Sequence, residues 1–149
     1  MSHFSHRLEV RFRDCDAMGH TNNAVYLTFL EQARFSHWRS LWGFGNLPAP
    51  GERQRVEGQT PPALPGVILA RAEVDYKRPT RYGDVLEVRL TVAEIGRTSF
   101  RYEYEIVDEQ GRTVLTAKTV QVMYDYASER PVVIPDRIRA LLSMTNGER

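Results

Sequence analysis

Asp14, Asp16 and His20 fall in one short polar stretch, Asp14-Cys15-Asp16-Ala17-Met18-Gly19-His20, directly ahead of Asn22 and Asn23. Carboxylates and an imidazole this close together can bind a cation, move a proton or attack an activated carbonyl. A calcium loop opening at Asp14 would have Asp16 and Gly19 where it needs them. It fails because Met18 cannot ligate and Val25 stands where the closing glutamate belongs. An Asp-x-Asp phosphotransferase fails as well, since it needs a threonine where Met18 stands. A metal site on Asp14, Asp16 and His20 stays open, although no further histidine or cysteine lies close by. So does a plainer reading, in which Asp16 only caps the turn and His20 only stabilises it. Cys15, set between two acids, is a poor candidate for a thiolate nucleophile.

The element that must position these groups follows at once. Asn22 or Asn23 is a good N-cap, its side-chain oxygen accepting from a free N–H of the first turn. From Ala24 to Trp42 nothing breaks the pattern before Gly43, which predicts a helix of roughly 28 Å. Glu31, Arg34 and Arg39 are its only charged residues, and Glu31 and Arg34, three apart, read as an ion pair. Leu27, Leu30, Trp38 and Leu41 lie near one face, while Tyr26, Phe29, Ala33 and Phe35 cover much of the rest. Such a helix is expected to be buried. Its N-terminus would bring free N–H groups to the polar turn, a place to hold or polarise an oxygen. In the functional reading Asp16 attacks a carbonyl or positions a water, and the backbone N–H of Asn23 or Ala24 receives the oxyanion. A thioester is reactive enough for this machinery.

The flanking segments read as strands. Leu8, Val10 and Phe12 alternate with charged residues ahead of the turn. From Gly43 to Gly66 a stretch rich in proline and glycine predicts a long loop. After it, Ile68, Ala70, Ala72, Val74 and Tyr76 share one face of a strand, as do Leu86, Val88, Leu90 and Val92 in the next and Phe100, Tyr102, Tyr104 and Ile106 in the third. Asp108 to Gly111 forms a hairpin turn, and a last long strand, from about Arg112 to Tyr126, puts Val120, Val122 and Tyr124 on one face. Pro135-Asp136 opens a short helix with Ile138, Leu141 and Leu142. This order predicts an α+β fold, an antiparallel five-stranded sheet wrapped around one long helix, plus a short C-terminal helix. An exposed edge strand is best removed by pairing with a second copy, so a homodimer is expected.

At 149 residues the chain is expected to be a single domain, 1–149. With 20 Lys and Arg against 19 Asp and Glu, and no basic run, it lacks the electrostatic footprint of a nucleic-acid or membrane-surface binder. No run approaches the roughly 20 apolar residues of a membrane span, and the N-terminus lacks a signal-peptide core. One cysteine excludes an intramolecular disulfide and fits a reducing, cytoplasmic setting.

The run from Asp14 to Leu27, continuing to Glu31-Gln32-Ala33-Arg34, resembles the signature of the hotdog-fold acyl-CoA thioesterases, in the style of the 4-hydroxybenzoyl-CoA thioesterase group. The strand order, Tyr76-Lys77-Arg78-Pro79 and Gly96-Arg97-Thr98-Ser99-Phe100 also fit, so the resemblance covers nearly the whole chain. It implies hydrolysis of an acyl-CoA thioester with Asp16 as nucleophile or general base. The helix start at Asn23 and Ala24 would polarise the carbonyl, with His20 in the same turn. It implies no metal or cofactor, and active sites at the interface of a homodimer, often within a homotetramer. Arg97 and Arg130 fall in segments similar to those that contact the nucleotide end of coenzyme A. His20-Thr21-Asn22-Asn23 is closer to the long-chain and acyl-carrier-protein branches. An acyl-carrier-protein thioesterase and a non-catalytic acyl-CoA binding module are therefore the alternatives.

Overall fold

The computed structural model describes residues 3–41 and 66–145. Trp42 and all but the last residue of the expected 43–66 loop lie outside the described residues. Gly66 itself opens a strand. In chain order the elements are β1 (Phe4–Glu9), α1 (Val25–Leu41), β2 (Gly66–Tyr76), β3 (Val85–Ile95), β4 (Ser99–Val107), β5 (Thr113–Asp125), the two-residue β6 (Arg130–Pro131) and α2 (Asp136–Ser143). The five long strands form one antiparallel sheet in the order β1-β3-β4-β5-β2, with β6 added beside β5. A single long helix lies against this sheet, the hotdog architecture that the resemblance implies.

The alternation in β3 and β4 becomes the floor of the core. Leu86, Val88, Leu90, Val92, Phe100, Tyr102, Tyr104 and Ile106 are all buried, facing Tyr26, Phe29, Leu30 and Ala33 of α1. Burying a large apolar side chain contributes about 1.5–3 kcal/mol, so this face dominates the stability. Leu27 and Phe35 turn outward at 41% and 49% exposure, so α1 is less fully enclosed in one chain than its composition predicts.

Two strand expectations are corrected. Phe12 does not continue β1 but opens a 3-10 turn, Phe12–Asp14, and is exposed. In β2 the register shifts between Leu69 and Arg71, so Ala70 is an extra residue and the inward parity changes along the strand. In β5 the buried residues past Ala117 are Thr119, Gln121 and Met123, while Val120, Val122 and Tyr124 are half-buried on the opposite side. Thr119 belongs inside because its hydroxyl partners the buried Tyr104 phenol.

The far half of α1 is tied down by His37. One ring nitrogen bonds the Tyr102 hydroxyl and the other the Thr145 hydroxyl, both at 2.7 Å. Thr145 follows α2, and its carbonyl accepts from Val92 in β3. Burial pushes the imidazole down to about 4, so it is held neutral, with both nitrogens satisfied.

Candidate active site

The two acids of the turn part company. Asp14 is buried and accepts three bonds from Arg11, from the backbone N–H at 2.8 Å and from Nε and Nη2 at 3.2 and 2.9 Å. Burial works against its ionisation, but those N–H groups outweigh it and hold the carboxyl below its usual range. Asp16 is exposed, and its Oδ1 accepts the Met18 N–H at 2.9 Å. Its backbone closes the turn, N–H to the His20 carbonyl and carbonyl to the Gly19 N–H. Gly19, at φ +80°, takes a left-handed conformation that suits glycine. The structure therefore does not bring Asp14 together with Asp16 and His20, and the three-residue metal site is not formed. Among the described residues no cluster of three or more His, Cys, Asp or Glu is arranged to hold a metal ion.

Asp16, His20 and Asn23 line one cleft of about 390 Å³, which also takes in Tyr76, Lys77 and Arg78 at the end of β2. The helix start is built by Asn22. Its Oδ1 accepts the Ala24 N–H at 2.8 Å and its carbonyl accepts the Val25 N–H at 2.9 Å. Ala24 thus has its amide engaged, whereas the Asn23 N–H has no acceptor among the described residues.

Two side chains that sequence reasoning missed fix this start in space. Thr80 bonds the Thr21 hydroxyl at 2.6 Å and the Tyr26 hydroxyl at 2.7 Å, and its carbonyl accepts the Thr21 N–H. Tyr76 donates its hydroxyl to the Asn23 carbonyl at 2.8 Å. Neither carries a sequence signal beyond lying at a strand exit.

Arg97 and Arg130 are exposed and come to one end of the sheet, Arg97 in the β3–β4 turn and Arg130 at the start of β6. That is the end opposite the cleft. Asp125, which pairs with Arg130, and Leu115, which pairs with Tyr76, are separated by roughly 30 Å along β5. Glu31 and Arg34 form no ion pair; Arg34 turns inward and its Nη1 donates to the Tyr104 hydroxyl at 3.3 Å.

One cleft at the helix start therefore takes in a carboxylate and a residue whose amide has no acceptor among the described residues. The thioesterase-like superfamily matches residues 10–142, and the chain belongs to it. Over 97% of its length it is 28% identical to a 1,4-dihydroxy-2-naphthoyl-CoA hydrolase from Synechococcus elongatus, covering 98% of that protein. It is 26% identical to the acyl-CoA thioesterase YbgC of Haemophilus influenzae, with 92% of each chain covered. Among solved structures it is similar to a Thermus thermophilus thioesterase complexed with coenzyme A and zinc. There the identity is 30%, the TM-score 0.76, and 97% of this chain and 95% of that one are covered. By class the chain is a thioester hydrolase. No helix among the described residues is long and apolar enough to cross a membrane.

Proposed function

We propose that the chain hydrolyses acyl-CoA thioesters, with the Asp16 carboxylate as nucleophile or general base and the Asn23 amide as the polarising donor. The observation that carries this reading is that Asp16 and Asn23, whose amide has no acceptor among the described residues, line the same cleft. The carbonyl oxygen of the bound thioester lies toward the helix start, where charge developing on it is met by that amide and the positive end of α1. Either the carboxylate adds to the carbonyl carbon, the thiolate of coenzyme A leaves and water then cleaves the resulting mixed anhydride to free acid and regenerated Asp16, or Asp16 takes a proton from a water that adds directly, and that proton leaves with the thiol. The Ala24 amide contributes only by giving up Asn22, so its main work is to set the helix start. His20 borders the cleft as a second polar contact. Lys77 and Arg78 offer cationic groups at the mouth, and the similar proteins named above include hydrolases of CoA thioesters.

This reaction uses protein oxygen and nitrogen alone, so EDTA is expected to leave the rate unchanged. A rate abolished by EDTA and restored by zinc would replace this mechanism. Replacing Asp16 with asparagine keeps the turn's bond to Met18 and removes the charge. Turnover, measured as free thiol released, is expected to fall about 10³-fold, and an unchanged rate would reject the assignment.

Lys77 and Arg78 equally suit the acidic surface of an acyl carrier protein, which favours the carrier-protein thioester as the second reading. Rates on the same acyl group carried by coenzyme A and by carrier protein separate the two. The acting unit we propose is a homodimer or a tetramer of such dimers. β2 is 11 residues long and, among the described residues, pairs only with β5, leaving Leu69 exposed and its other edge without a partner strand that a second β2 would supply. A cytoplasmic setting, with Cys15 a free thiol, completes the reading.

A further inference from the structure

A second cavity, of about 310 Å³, lies between the far half of α1 and the β5–β2 side of the sheet. Its walls are apolar, with Trp38 and Phe100 stacked at 6.4 Å and Phe35 and Leu69 beside them. Its floor is not. Gln121 is only 3% exposed; its Nε2 donates to the Thr119 hydroxyl at 2.6 Å, and its Oε1 has no hydrogen-bond partner among the described residues. Arg34 borders the same cavity, held by the Tyr104 hydroxyl through one of its N–H groups. Leaving a buried acceptor unpaired costs about 1–3 kcal/mol, so sequences do not keep such a group without reason. Gln121 pairs across the sheet with Phe100 on one side and Leu69 on the other, which fixes its side chain on the cavity face.

We propose that this cavity selects the far end of the acyl group, and that what it selects is a hydroxyl. A hydroxyl can donate to Gln121 Oε1 and accept from the Arg34 guanidinium at once, while the aromatic walls enclose the carbon skeleton. A plain alkyl terminus leaves both polar groups unsatisfied and is disfavoured for that reason.

The inference rests on the hydrolase reading and on the pairing of β2 edges given above. Within one chain, Gln121 and Leu115, the residue opposite Tyr76, are six apart on β5, roughly 20 Å at about 3.4 Å per residue. That span is too long for a compact acyl group. Two β2 edges paired antiparallel about a two-fold axis bring the Gly66 end of one copy to the Tyr76 end of the other. Each cavity then serves the other copy's Asp16.

The test is a ladder of straight-chain acyl-CoA thioesters from acetyl to palmitoyl, each longer member paired with its ω-hydroxy counterpart and followed by thiol release. At the length turned over fastest, the hydroxylated member is expected to be favoured about tenfold in kcat/KM. Gln121→Met should bring that ratio to near one, and Gln121→Glu, which keeps the acceptor, should retain the preference. The methionine variant should melt no lower than the parent, because it removes an unpaired acceptor. In mixed dimers with Asp16→Asn chains in excess over Gln121→Met chains, the surviving carboxylate faces an intact Gln121, and the parental ratio should return. A ratio near one in those mixed dimers would overturn the arrangement between copies. Equal rates on both members at every length, or a preference untouched by Gln121→Met, would overturn the proposal while leaving hydrolysis standing. Release from none of the esters would instead remove the hydrolase reading on which it rests.

Discussion

In its far half α1 carries His37, 1% exposed, with both ring nitrogens bonded to side chains of β4 and of the segment after α2. At its start the same helix presents Asn23, exposed and with no acceptor for its amide among the described residues, in one cleft with the exposed Asp16. One end spends its polar groups on the fold and the other keeps them free. The difference teaches where rigidity comes from. The start can leave donors unsatisfied because the helix is pinned at the knot around His37 and at Thr80, which holds Thr21 and Tyr26.

The sharpest way to break this contrast is to exchange the consequences of substitution at the two ends. Asp16→Asn is expected to remove nearly all turnover with the urea midpoint unmoved. His37→Ala should do the reverse, losing about 3 kcal/mol of stability from the cavity and the two orphaned hydroxyls, with kcat per folded molecule preserved. A loss of stability in the first, or of kcat in the second, would mean that the ends are not separable.

A titration probes the same knot. The folded His37 has its affinity for protons depressed below the unfolded value of 6.5, so the unfolded chain binds more protons between pH 6.5 and about 4. Its contribution is complete above pH 6.5 and is lost as pH falls toward 4, on the order of 3 kcal/mol in all. Denaturation midpoints across that window should slope accordingly, and the slope should vanish in His37→Ala. The Asp14 carboxyl, held low by Arg11, loses its contribution only at more acid pH. The smallest effect is expected of Tyr76→Phe, which frees the Asn23 carbonyl. Stability should change by less than about 1 kcal/mol, and kcat/KM should fall by a few-fold as the helix start loosens. An unaltered kcat/KM would show that Thr80 alone fixes the start.

What the sequence made legible follows from locality. Asp16, His20 and Asn23 meet in one cleft because a turn and a helix cap join them within a few residues, and such chemistry can be read directly. The buried faces of β3 and β4 were equally plain, because their apolar residues alternate without interruption. In β5 the alternation groups Val120, Val122 and Tyr124 on one face, as the structure has them, but periodicity reports which residues share a side, not which side is buried. Buried phenols at Tyr102 and Tyr104 recruit polar partners, and Thr119 and Gln121 take inward places that Val120 and Val122 would have claimed on hydropathy. Arg34 was misassigned for a related reason, since a helical neighbour three residues away competes with a phenol brought in from β4, seventy positions on. Contacts of that range leave no mark in a local window.

The extra residue at Ala70 acts as a phase shifter in β2. Ahead of it the side chains of Val67 and Leu69 border the second cavity, and beyond it Val74 packs on the core and Tyr76 borders the Asp16 cleft, so the inward side chains change from odd to even positions at the bulge. Exchanging side chains along this strand edits one pocket at a time. Removing a single residue there would restore a uniform zigzag and turn one of the two linings to the wrong side of the sheet, so the strand tolerates changes of letter far better than changes of length.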